Sequence, residues 1–164
     1  MAKTYESIAT TTLGSDSATV SFTSISGSYT DIVLIVDAVR TGSNNVAWIR
    51  VNSDTGSNYS FTTLQGNGTA ASSYRESNST APWVTPEIWA QNARGNLIIN
   101  FQNYSNTTTY KTFLTRYNLA AQGTGSIVGL WRNTAAISTI LLSPGSGNWA
   151  AGSTFTLYGI KKAA

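Results

Sequence analysis

Ile32-Val33-Leu34-Ile35-Val36 is the stretch whose reading decides the fold. The run is too short for an ordinary helix, and branching at Cβ removes side-chain freedom inside one. Unbroken apolar character over this length predicts a strand buried on both faces. Outward along the chain, Thr41-Gly42-Ser43-Asn44-Asn45 is a cluster of turn formers. Beyond it, Val46-Ala47-Trp48-Ile49-Arg50-Val51 is again rich in β-branched residues and carries a Trp. Together these segments predict a central hairpin over residues 31–52.

The flanking sequence has the same character. Ala18, Val20 and Phe22 alternate with Thr19, Ser21 and Thr23, the period of a half-buried strand. Residues 5–12, 59–64, 97–101, 110–117, 126–131, 137–142 and 154–160 read as further strands, and no segment carries a helical period. Strands and turns recurring every ~8–12 residues predict an antiparallel β-sandwich, jelly-roll-like. Its two terminal strands are expected to lie close together in one sheet. The 164 residues suit a single domain spanning 1–164. Regularity fades between 66 and 86, where Gly66, Gly68, Pro82 and Pro86 punctuate the chain. That stretch is expected to be a long irregular excursion, with at most a short strand near 73–76. Long loops in compact domains are usually functional.

Charged residues make up only 10% of the chain, against ~25% in ordinary globular proteins. The polar surface must therefore be built from Ser, Thr, Asn, Gln and Gly, and it offers little electrostatic protection against self-association. An oligomer is expected. The net charge is +3, but the arginines are scattered and Lys161-Lys162 is the only adjacent basic pair. Without a basic stripe no nucleic-acid partner is expected. No run approaches the ~20 apolar residues of a membrane span, and the first residues lack the apolar segment of a secretory signal.

The chain has no His and no Cys. The commonest general base and the strongest nucleophile are both missing, which rules out Ser-His-Asp and Cys-His systems. A glycosidase needs two carboxylates across one cleft. Only Glu76, in the irregular stretch, and Glu87, at its end, have Tyr74, Trp83 and Trp89 as aromatic neighbours. A Glu76 that pairs with Arg75 or faces water is the plainer reading. The loop Asn52-Ser53-Asp54-Thr55-Gly56-Ser57-Asn58 has oxygen side chains at alternate places but a single carboxylate, too few for calcium. It reads as a turn braced by Asn and Asp side chains. Neither a catalytic residue, a metal nor a cofactor is expected. Among the aromatics, Trp48 and Trp131 lie within strands and read as core. Trp83, Trp89 and Trp149 border loops rich in Pro and Gly. Exposed Trp and Tyr mark protein interfaces or sugar platforms. The candidate partner-contact residues are Tyr5, Tyr74, Arg75, Trp83, Trp89, Trp149 and Tyr158.

The chain ends carry a more specific signal. Tyr5-Glu6-Ser7-Ile8-Ala9-Thr10 leads into Ala18-Thr19-Val20-Ser21-Phe22-Thr23-Ser24-Ile25, then Tyr29-Thr30-Asp31-Ile32-Val33-Leu34. Phe155-Thr156-Leu157-Tyr158-Gly159-Ile160-Lys161 closes the sequence. These segments, with Asp54-Thr55-Gly56-Ser57-Asn58-Tyr59-Ser60, resemble small β-sandwich virion structural proteins of tailed bacteriophages. The similarity covers both ends and the first third, is much weaker from 65 to 89, and carries no catalytic residues. It implies a virion role. The expectation is a head decoration or cement protein on the capsid surface, a homotrimer that bridges capsomers and has the major capsid protein as partner. The alternative is a tail-fibre or receptor-binding domain that recognises host-surface glycan through Tyr74, Trp83 and Trp89.

Overall fold

The computed structural model describes residues 4–43, 46–85 and 90–161. Among these the regular structure is all strand: β1 Tyr5–Thr12, β2 Val20–Phe22, β3 Asp31–Val39, β4 Ala47–Val51, β5 Tyr59–Gly66, β6 Ala71–Ser79, β7 Trp83–Thr85, β8 Arg94–Phe101, β9 Lys111–Leu119, β10 Gly123–Trp131, β11 Ile140–Ser143 and β12 Thr154–Ile160. Eight form one sheet, ordered β1-β12-β3-β8-β9-β10-β5-β6, and four form a second, ordered β2-β11-β4-β7. Among the described residues no helix is long and apolar enough to cross a membrane.

The strand order reveals a jelly roll with two insertions. Without β5, β6, β9 and β10, the sheets reduce to β1-β12-β3-β8 and β2-β11-β4-β7. The chain then steps back and forth between them, as in a double Greek key. The hairpin β5–β6 is inserted after β4 and the hairpin β9–β10 after β8, and they pair through β5 and β10. The result is a four-stranded wing that extends the larger sheet beyond β8. The expected class, an antiparallel β-sandwich resembling a jelly roll, is the class observed.

The core lies between the sheets. Ile32, Leu34, Val36 and Ala38 of β3 are wholly buried, as are Phe155 and Leu157 of β12 and Leu97 and Ile99 of β8. Ala47 and Ile49 of β4, with Ile140 of β11, oppose them from the smaller sheet. The outer face of β3 is different, since Ile35 is 40% exposed. The strand is thus apolar on both faces but fully covered on only one.

The central hairpin is not formed. Its first arm is β3, paired with β12 and β8 in the larger sheet, and its second is β4, paired with β11 and β7 in the smaller. Both arms bury an apolar face, and crossing between the sheets lets those faces meet across the core. The crossing is clamped. The Thr41 N–H donates to the Asn148 carbonyl at 2.9 Å, and a Cβ on Gly42 would stand 2.0 Å from the Ser146 carbonyl oxygen. Asn44 and Asn45 of the expected turn lie outside the described residues.

The irregular excursion is also corrected. Residues 71–79 form β6, a full-length edge strand, and Trp83–Thr85 form β7 on the edge of the smaller sheet. β6 shows no apolar alternation because nearly every side chain on it meets solvent. The chain ends behave as expected, with β1 and β12 antiparallel neighbours from Tyr5–Ile160 to Thr12–Thr154. Glu6 accepts a 2.7 Å hydrogen bond from the Lys161 ammonium, which fastens the two ends.

Candidate contact surfaces

The candidate residues fall into separate places. Tyr5 and Tyr158 share the outer face of the larger sheet at its β1 end, with ring centroids 6.5 Å apart and edge to face. Tyr74 and Trp83 meet at the opposite end. Tyr74 lies beside Thr63, which lies beside the buried Ile127, so its ring is on the inner side of the wing. There it stacks on Trp83 at 5.2 Å, and Phe61 packs against both, 5.3 Å from Trp83 and 6.0 Å from Tyr74. The Tyr74 hydroxyl donates to Glu76 at 3.1 Å. The trio closes the open edge of the sandwich while leaving Tyr74 47% exposed. Arg75, next along β6, lies on the outer face beside Thr62.

Trp149 is a correction. It is wholly buried and packs edge to face on Phe155 at 5.5 Å. Its backbone bridges Ser17 and Arg40, so the Gly-rich loop before it delivers the ring into the core rather than to the surface. Trp89 and Glu87 lie outside the described residues. Trp131 is buried as expected, but Trp48 is only half-buried, with the Arg50 guanidinium 4.6 Å over its ring.

The Asp54 loop is a braced turn. The carboxylate accepts from the Gly56 N–H at 2.8 Å, the Asn58 amide at 2.9 Å and the Trp131 indole N–H at 2.6 Å. Burial alone would raise its pKa, but the hydrogen bonds from Trp131, Asn58 and Gly56 outweigh that and hold it below the ordinary value. A carboxylate so occupied is a structural anchor. Among the described residues no three His, Cys, Asp or Glu side chains cluster as metal ligands would. Arg40 is buried, and desolvation lowers its pKa to about 10. One guanidinium nitrogen donates to the Gly42 carbonyl at 3.2 Å, which helps hold the crossing between the sheets.

A surface absent from the sequence reading covers the outer face of the wing. Strand register aligns Val33, Asn100, Leu114, Val128, Thr62 and Arg75 in one cross-strand row. Ile35, Ile98, Arg116, Ser126 and Leu64 form the next. Leu64 is 61% exposed, Val128 52% and Leu114 39%. The signal was present in apolar doublets. Phe113-Leu114, Ile127-Val128 and Leu34-Ile35 each send one side chain to either face of a strand. With a single core to bury, one member of each doublet must face outward.

No family model matches the chain, and no curated protein matches it. Solved structures give distant likenesses. A galectin of Caenorhabditis elegans, LEC-6, is 10% identical with a TM-score of 0.38, covering 90% of this chain and 94% of its own. An alginate lyase bound to an alginate tetrasaccharide is 8% identical with a TM-score of 0.36, covering 94% and 81%. A human SPRY domain is 12% identical with a TM-score of 0.22, covering 95% and 99%. TM-scores this low assign the chain to none of these families.

Proposed function

We propose that this chain is a structural protein of a phage virion, a capsid decoration or cement protein that works by non-covalent contact and not by catalysis. The observation that carries the reading is the outer face of the larger sheet, where Ile35, Leu64, Leu114 and Val128 stay open to solvent. Apolar groups gathered on one exposed face mark an interaction site. The similarity of both chain ends to phage virion proteins supplies the setting. The absence of His and Cys from the sequence, and the hydrogen bonding of Glu76 to Tyr74, favour adhesion over chemistry. Repetition over a symmetric shell would multiply modest contacts through avidity, and a trimeric unit would raise that further. The test is sedimentation of purified protein with tailless, undecorated heads. Pelleting at a fixed ratio to the major capsid protein is expected. Protein that stays in the supernatant, yet binds tails or host cells, would overturn the reading.

One observation favours the receptor-binding alternative. The half-open ring of Tyr74, backed by Trp83 and beside Glu76, offers the ring face and carboxylate that sugars use. Loss of glycan-array binding on Tyr74→Ala is the outcome that reading requires.

A further inference from the structure

The geometry points to the outer face of the wing as the docking surface, and to an acidic, apolar protein surface as its occupant. This rests on the structural role proposed above and names the face and the chemistry of the partner. Leu114 and Val128 lie side by side at the centre, with Leu64 and Ile98 on the neighbouring row. Two shallow grooves adjoin them. One, of about 230 Å³, is lined by Thr62, Arg75, Thr112 and Val128 among others. The other, of about 280 Å³, is lined by Ile98, Arg116, Asn118 and Thr124 among others. Each groove thus has one arginine amid hydroxyl or amide groups.

Charge decides the occupant. Among the described residues, the ion pairs are Arg94 with Asp37 and Lys161 with Glu6. Among the described residues Arg75 and Arg116 have no carboxylate partner. Glu76 adjoins Arg75 in sequence but projects from the opposite face of β6, where Tyr74 holds it. Asp37, on the outer face, is taken by Arg94 at 3.1 Å and Asn96 at 3.2 Å. With the described carboxylates engaged elsewhere, Arg75 and Arg116 are open to carboxylates of another molecule, which guanidinium forks suit. A second copy laid face to face would bring only arginines to the joint. A nucleic acid would meet an apolar centre where its phosphates need cations. The strands from β8 to β6 span ~19 Å across and ~30 Å along, on the order of 600 Å², the low end of what one partner buries in a standard interface. A standard interface buries about 800 Å² per partner.

The experiment compares wild type, Val128→Glu and the double variant Arg75→Glu/Arg116→Glu, all at exposed positions, with Thr10→Glu on β1 as control. Thermal melts establish that each is folded, and Val128→Ser replaces Val128→Glu if that variant is not. Binding is measured to undecorated heads and, at low salt, to poly-glutamate on beads. We expect both outer-face variants to lose about tenfold or more on heads and the arginine variant to lose poly-glutamate, with Thr10→Glu unchanged. Wild type and variants binding heads equally would overturn the docking face and leave the structural role intact. Wild type ignoring heads but holding poly-glutamate through the two arginines would overturn the structural role and keep the face. Binding to neither, competition by soluble glycan, or a wild-type oligomer that Val128→Glu breaks into monomers would overturn the face.

Discussion

The jelly-roll body and the wing are made from the same kind of strand but treat their faces differently. In the body, two sheets press apolar faces together, and Leu34, Ile49, Ile140 and Leu157 are wholly buried. In the wing, the inner face is covered by β7 and by the Phe61–Trp83 packing, while the outer face keeps Leu64 and Val128 open. Apolar residues in the body stabilise the chain. Those on the outer wing contribute little to that stability and are free for use elsewhere. The contrast also separates two kinds of aromatic: Trp149 is part of the body's core, while Tyr74 tops a cluster at the wing's edge.

The largest expected effect lies in the body. Trp149→Ala should lower unfolding free energy by about 3–5 kcal/mol through the cavity it opens, whereas Val128→Ser should stay within about 0.5 kcal/mol. Urea titrations of the two variants measure this, and equal losses would erase the distinction. Gly129→Ala, on the inner face of the wing, comes next. Its Cβ would stand 1.8 Å from the Phe113 ring, so the ring must shift at a cost of about 1–3 kcal/mol. A neutral result would mean that the wing's inner packing is looser than the body's.

Asp54→Asn should cost about 1–2 kcal/mol at neutral pH, since the Trp131 indole and its neighbours lose a charged acceptor. The sign with pH follows from a folded-state pKa below the ordinary one. The stabilisation is complete above the unfolded carboxylate value of about 3.9 and is lost as pH falls through the folded value. Acid unfolding of the Asn variant should therefore be flatter in that window. Smallest is Asp37→Asn, which breaks an ion pair whose side chains are 49% and 47% exposed. A change of under about 1 kcal/mol, shrinking with salt, is expected in thermal melts.

Much of the body was legible because its strands obey one rule. Val20 and Phe22 alternate with polar residues, and both chain ends end as neighbouring strands. The hairpin failed because local sequence cannot tell two strands paired side by side from two facing each other across a core. β6 was hidden for another reason: Ala71–Ser79 buries almost nothing, so no period marks it. Trp149 was misplaced because a loop rich in Gly and Ser usually means surface, and here it feeds a ring inward. Tyr74 and Trp83 were found by their composition, though their stacking required the fold. Sequence alone gives Arg75 no face and does not distinguish Arg116 from the other arginines, because only register aligns them with Leu114 and Val128.

Hydroxyl-radical footprinting of the protein bound to undecorated heads, against free protein, sets the two faces of the wing against each other in one measurement. Strong protection of Leu64, Leu114 and Val128, with Tyr74 oxidised as before, is the predicted pattern. Protection of Tyr74 and Trp83 with the outer side chains unchanged would contradict it.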